Sequence, residues 1–186
     1  MPHSPTETEI KLAVPTIAAA RRLLRLTGFK VSRRRVFENN IIFDTPQLTL
    51  RNSSRLLRLR QAGRVTSVTY KGPPTVSRHK SREELELTAS SAATMNVIFD
   101  RLGFREVFRY EKYRTEYRQE RGRGMATLDE TPVGLYLELE GPPGWIDRTA
   151  RQMGFGEPDY ITASYVRLYL DWCKKNRVKP SNMVFG

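Results

Sequence analysis

Again and again this chain alternates a charged residue with an apolar one. A period of two sustained over strand-length runs reads as a strand with two unlike faces. In Glu7-Thr8-Glu9-Ile10-Lys11, the side chains of Glu7, Glu9 and Lys11 share one face, and Thr8, Ile10 and Leu12 share the other. Arg58 and Arg60 oppose Leu57 and Leu59 in the same way. From Lys80 to Leu87, Lys80, Arg82, Glu84 and Glu86 fall on one face, with Leu85 and Leu87 opposite. Lys112, Arg114 and Glu116 are in phase, and Glu138 and Glu140 oppose Leu135, Leu137 and Leu139. Lys71 ends a run at the turn signal Gly72-Pro73-Pro74, and Asp129 lies in a run from Met125 to Glu130.

Helix signals lie between these runs. Pro15 to Thr27 carries an apolar stripe of Ile17, Leu23, Leu24 and Leu26 and stops at Gly28. Ser90-Ser91 caps a helix from Ala92 to Leu102 that ends at Gly103. Gly144 to Met153 reads as a third helix and Thr162 to Lys175 as a fourth, the last ending in a basic run. Strands are expected near 6–14, 33–44, 54–61, 65–71, 80–88, 105–119, 123–130 and 133–141. This order predicts an α+β fold with a large antiparallel sheet and excludes the regular βα alternation of a doubly wound fold. About eight strands, whose charges change sign from strand to strand, favour a closed barrel with charges inside. An open sheet with its charged face in water satisfies the same periodicity.

The chain of 186 residues suffices for one sizeable core. One domain is expected over residues 1–175, followed by a loosely held C-terminal tail at 176–186. The formal net charge of +12 favours polyanionic partners. Cys173 is the one cysteine, so no internal disulfide forms, and a reducing, cytoplasmic setting is expected. On its helix, beside Leu168 and Trp172, Cys173 reads as a packing residue. Met1 to Lys11 has no signal-peptide core, and no run of about 18 apolar residues predicts a membrane span. His79 is expected in an exposed loop. Arg33-Arg34-Arg35 is out of phase with the other runs and reads as a solvated edge that draws anions. No phosphate-binding Gly-rich loop and no cysteine metal cluster occurs.

Paired carboxylates such as Glu7 and Glu9 are ligands for hard cations, and a lysine one step along holds phosphate as a point charge. One strand face could therefore meet a metal–polyphosphate complex. Charged alternation is equally what a solvated sheet face shows.

Taken together, the motifs resemble the CYTH family, also called triphosphate tunnel metalloenzymes. The resemblance rests on Glu-x-Glu-x-Lys at 7–11, Phe43-Asp44-Thr45-Pro46, Leu57-Arg58-Leu59-Arg60, Tyr70-Lys71-Gly72-Pro73 and Arg82-Glu83-Glu84-Leu85-Glu86. It continues through Lys112-Tyr113-Arg114, Leu128-Asp129-Glu130, Glu138-Leu139-Glu140 and Ser164-Tyr165. It implies an eight-stranded antiparallel β-barrel with flanking helices, forming an open-ended tunnel, and so decides for closure. By the same resemblance Glu7, Glu9, Glu138 and Glu140 are metal ligands for Mg2+ or Mn2+. Lys11, Arg58, Arg60, Lys71, Arg82, Lys112 and Arg114 form the triphosphate clamp, and Glu84, Glu86 and Asp129 complete the catalytic site.

The implied function is a metal-dependent triphosphatase. Its substrate is a small triphosphate (tripolyphosphate, nucleoside or thiamine triphosphate), cleaved at the terminal phosphate by in-line attack of water. The alternatives are a class IV adenylyl cyclase, making cAMP and pyrophosphate from ATP, and a non-catalytic binder of polyphosphate or RNA. The four retained Glu side chains argue against a pure anion binder, so nucleic acid is not the favoured partner. A monomer or homodimer is expected. Two departures from the family are visible. Thr162-Ala163 stands where a basic residue often precedes Ser-Tyr, leaving Arg167 as a substitute, and His3-Ser4 stands where cyclases often carry His-Phe.

Overall fold

The computed structural model describes residues 6–75 and 77–186, so His3-Ser4 lies outside the described residues. Eight strands form a closed antiparallel barrel: β1 (Thr6–Val14), β2 (Lys30–Asp44), β3 (Leu56–Ala62), β4 (Val65–Lys71), β5 (Lys80–Ala89), β6 (Arg105–Arg118), β7 (Met125–Thr131) and β8 (Gly134–Glu140). The order round the barrel is β1-β5-β4-β3-β2-β6-β7-β8, and β1 pairs with β8 to close it. Five helices flank it: α1 (Ile17–Leu26), α2 (Thr49–Asn52), α3 (Ala92–Arg101), α4 (Pro143–Gln152) and α5 (Tyr165–Asn176). No helix of the described residues is long and apolar enough to cross a membrane.

The alternation read from sequence is what separates inside from outside. Ile10, Leu12, Ala126, Leu128, Leu137 and Leu139 all point outward and are fully buried beneath α1 and α4, which contribute Ala20, Leu24, Trp145, Ile146 and Ala150. On the far side, Phe43, Leu59 and Val68 pack against Phe99 of α3. The helices seat themselves through ordinary caps. The hydroxyls of Thr16, Ser91 and Ser164 accept from Ala19, Thr94 and Arg167 N–H respectively. Gly28, at φ +79°, reverses the chain after α1 in a backbone conformation that side chains disfavour.

Two segments differ from expectation. The four-residue helix α2 is held by Asp44, whose carboxylate accepts N–H bonds from Thr45 (2.8 Å), Leu50 (2.9 Å) and Arg51 (2.9 Å). The C-terminal segment is docked rather than loose. Met183 is buried, and its backbone exchanges hydrogen bonds with Arg109 (3.0 Å) and Glu111 (2.9 Å) along β6.

Candidate functional site

The inward faces of the strands enclose a cavity of about 430 Å3. Register brings opposite charges together across the strand pairs. Lys11 lies opposite Glu138, Glu7 opposite Arg82, Glu9 opposite Lys80, Lys71 opposite Glu84, Glu38 opposite Lys112, and Arg114 opposite Asp129. Every residue of the expected site lines this cavity except Asp129, which is buried just behind its wall: Glu7, Glu9, Lys11, Arg58, Arg60, Lys71, Arg82, Glu84, Glu86, Lys112, Arg114, Glu138 and Glu140. Among the described residues nine cationic side chains line it against seven carboxylates, and buried Glu38 and Asp129 bring the acids to nine. The interior is thus formally neutral, and the excess of +12 belongs to the exterior.

Several of the ion pairs are short and buried. Lys11 bridges Glu9 (3.3 Å) and Glu138 (3.1 Å) while only 2% exposed, and Lys80 reaches Glu9 at 2.7 Å. Lys71 holds both Glu7 and Glu84. Burial alone would raise a carboxyl pKa. Against it, Lys11 and Lys80 hold Glu9 down at about 2, and Lys112 and Arg60 do the same for Glu38. Lys11 and Arg114 hold Glu138 well below the carboxylate range despite its burial. Glu7 goes the other way: burial and a hydrogen bond with Glu84 push it up to about 8, Lys71 opposing. Glu140, facing Glu9 across β1 and β8, is raised by burial and by Glu138.

Asp129 is fully enclosed, and both its oxygens are taken. It accepts from Lys112 Nζ (2.8 Å), Arg114 Nε (2.7 Å), Arg114 Nη2 (2.6 Å) and the Tyr165 hydroxyl (2.6 Å). The Tyr165 ring lies near two buried ammonium groups, 5.2 Å from Lys11 Nζ and 5.0 Å from Lys112 Nζ. The first turn of α5 reaches the cavity, where Ser164, Tyr165 and Val166 line it. Tyr165, Tyr169 and Cys173 pack with inward-facing Tyr110 and Tyr136 and with Met183. Cys173 is a packing residue, as its helix position implied.

Sequence reasoning passed over Glu38, Lys80, Tyr110 and Tyr165 as site groups. Lys80 was in phase with Arg82, so parity could have found it, whereas the in-phase neighbours of Glu38 on β2, Val36 and Asn40, carry no charge. Two other expectations are corrected. Arg167 does not substitute for the missing basic residue: it pairs with Asp171 at 3.0 Å on the exposed face of α5. His79 is buried, and its Nε2 meets Asp147 Oδ1 at 2.7 Å, fastening the loop after β4 to α4. Of the three successive arginines, Arg33 pairs with Glu116 at the cavity wall and Arg35 with Glu130 outside.

The donor set fits a divalent ion bound together with a polyanion. Among the described residues no three acidic or His/Cys side chains converge to enclose a metal alone. Mg2+ in particular is commonly held by one or two carboxylates, with phosphate oxygens and water supplying the rest. Burial raises the carboxyls of Glu7 and Glu140, and a bound dication would offset that cost; no ion pair holds Glu140 among the described residues, while Glu7 has Lys71. Buried Arg58 Nε and Arg82 Nε lack hydrogen-bond partners, as donors awaiting anionic oxygens would.

Comparisons with known proteins agree with this arrangement. Residues 5–165 match the family model of the CYTH domain. A candidate adenylate cyclase of Methanocaldococcus jannaschii is 34% identical over 135 residues, covering 72% of this chain and 75% of that protein. The structure of a candidate adenylate cyclase from Vibrio parahaemolyticus superposes with a TM-score of 0.78 at 19% identity, covering 89% of this chain and 98% of the other. A candidate adenylyl cyclase of Hippeastrum, described as having a dominant triphosphatase activity, superposes at 0.65 with 21% identity, covering 89% and 95%. With its barrel, its charged interior and a family match across most of its length, the chain belongs to the CYTH domain family.

Proposed function

We propose that the chain is a metal-dependent triphosphatase that removes the terminal phosphate of a small triphosphate. The observation that carries this reading is the neutral, ion-paired cavity: its cations match a polyphosphate, and its carboxylates match the dications that accompany one. Arg58, Arg60, Arg82 and Arg114 bind oxygens in pairs and fix register, while Lys11, Lys71, Lys80 and Lys112 add point charges. Glu7, Glu9, Glu138 and Glu140 would hold Mg2+ or Mn2+, which when bound neutralises phosphate charge and makes water more acidic. Glu84 and Glu86 orient water for in-line attack. Asp129 acts as a positioning residue that aims Arg114 and Lys112. Among the described residues no Cys or His lines the cavity; in this reading water is the nucleophile, and positioning with charge stabilisation supplies the rate.

The relative from Methanocaldococcus jannaschii favours cyclisation of ATP as the second reading. The Hippeastrum protein favours hydrolysis. Phosphate, pyrophosphate and cAMP release from tripolyphosphate and from ATP separates them, measured with Mg2+, Mn2+ or chelator, on wild type and Glu138→Ala. Metal-dependent phosphate release lost in the variant is expected. Pyrophosphate with cAMP would establish the cyclase instead, and tripolyphosphate binding without turnover would leave a binding module.

A further inference from the structure

We propose that the cleft between α1 and strands β2 and β6, outside the barrel, binds a small organic phosphate. The cleft measures about 460 Å3, within the usual range for small-molecule sites. Leu24, Val31 and Tyr117 give it an apolar floor, and among the described residues no carboxylate lines it. Arg21 and Arg25, one turn apart on α1, line it together with Arg34 of β2. Among the described residues, none of these three guanidinium groups has a hydrogen bond or ion pair. Arg35 beside them differs: Glu130 takes it with two bonds of 2.9 Å, and it stacks on Tyr113.

A second observation is independent of charge. Thr115 lines the same cleft, is 4% exposed, and its hydroxyl has no hydrogen-bond partner. A buried hydroxyl left unpaired costs about 1–3 kcal/mol, so its presence here is explained by an incoming polar group. Three guanidinium groups without a counterion select a phosphate, and the apolar floor selects one carrying an organic body. The site is separate from the barrel interior and does not depend on the reaction proposed for it.

Phenyl phosphate and inorganic phosphate are suitable ligands for the test, titrated while methyl NMR signals of Leu24, Val31 and Thr115 are followed. Saturable shifts with phenyl phosphate are expected, weakened about tenfold for inorganic phosphate and about tenfold in Arg21→Glu/Arg25→Glu. Both arginines are exposed, so the double variant should keep its circular dichroism and its triphosphate turnover. Thr115→Val, which keeps the shape, should weaken phenyl phosphate severalfold. Equal affinity in the double variant, equal affinity for inorganic phosphate, unchanged affinity in Thr115→Val, or shifts confined to barrel-interior residues would each overturn the proposal. So would binding of a ten-nucleotide oligouridylate by a protein that phenyl phosphate leaves unshifted, because the arginines would then belong to a nucleic-acid surface.

Discussion

Replacing Asp129 by Asn tests whether that carboxylate takes part in chemistry or holds the cavity wall. The substitution keeps the shape and removes one buried charge. The new amide could offer only one acceptor oxygen where two now receive four donors. Arg114 would keep Glu138 at 2.8 Å, but Lys112, 1% exposed, would keep only Glu38 at 3.6 Å. Removing one partner from a buried ion pair costs about 3–5 kcal/mol, because the charge left behind stays desolvated. In a domain of this size each kcal/mol lowers Tm by about 2–4 °C, so a fall of roughly 6–20 °C is expected.

The pH dependence has a definite sign. Against burial, Arg114 and Lys112 lower the Asp129 pKa in the folded state. Its stabilisation is therefore complete above the unfolded value, near about 4, and disappears as pH falls through the depressed folded value. The gap between wild type and Asp129→Asn, measured by urea denaturation, should be wide at neutral pH and narrow towards strongly acidic pH. The Michaelis constant for tripolyphosphate should rise as Arg114 loses its support. A variant within about 1 kcal/mol of wild type that has nevertheless lost all turnover would refute the reasoning and return Asp129 to the chemistry.

Tyr165→Phe removes one hydroxyl from the same carboxylate and keeps the ring near the two ammonium groups. It should cost about 1.5–3 kcal/mol in thermal or urea denaturation, the usual worth of a hydrogen bond to a charged group. Met183→Ala should cost about 2–5 kcal/mol, because the side chain is 1% exposed in the aromatic cluster with Tyr110, Tyr165 and Tyr169. A change under about 0.5 kcal/mol, usual for surface sites, would mean that the C-terminal segment is dispensable to the fold.

The barrel was legible in the sequence because its inside and outside are chemically opposite. One residue of error in register would have sent Lys11 and Glu138 into the leucine layer beneath α4, so the alternation fixes the faces strongly. Periodicity alone left open the choice between an open and a closed sheet, and pairing of β1 with β8 supplies the answer. What stayed illegible depends on partners distant along the chain. His79 looked like a loop residue because Asp147, which buries it, lies on α4. Met183 sits in a segment of unremarkable composition and is ordered only by the edge of β6. Glu38 has no charged neighbour in phase on its own strand, and its role emerges from Lys112 and Arg60 on the adjoining ones. Helix α2 follows from Asp44, whose backbone partners lie as far along as Arg51.

The ion-paired interior also constrains how a ligand enters. Lys11, Lys71, Lys80 and Arg114 already hold the carboxylates that a dication would need. A triphosphate arriving alone must draw these cations away and leave Glu9 and Glu138 buried without partners. A dication arriving alone strands the lysines instead. Either half-step leaves uncompensated charge on buried groups, which costs several kcal/mol. If the two were bound together, Lys11, Lys71, Lys80 and Arg114 would pair with phosphate and Glu7, Glu9 and Glu138 would hold the dication, leaving none of these groups unpaired. Metal and triphosphate should therefore bind with positive coupling of about 1–3 kcal/mol, each tightening the other by the same factor. Calorimetric titration of tripolyphosphate with and without Mg2+, on a Glu84→Gln variant to suppress turnover, reads this factor directly. Equal affinities in the two titrations would mean that the paired lysines and carboxylates do not exchange partners, and that the cavity binds its ligand by cations alone.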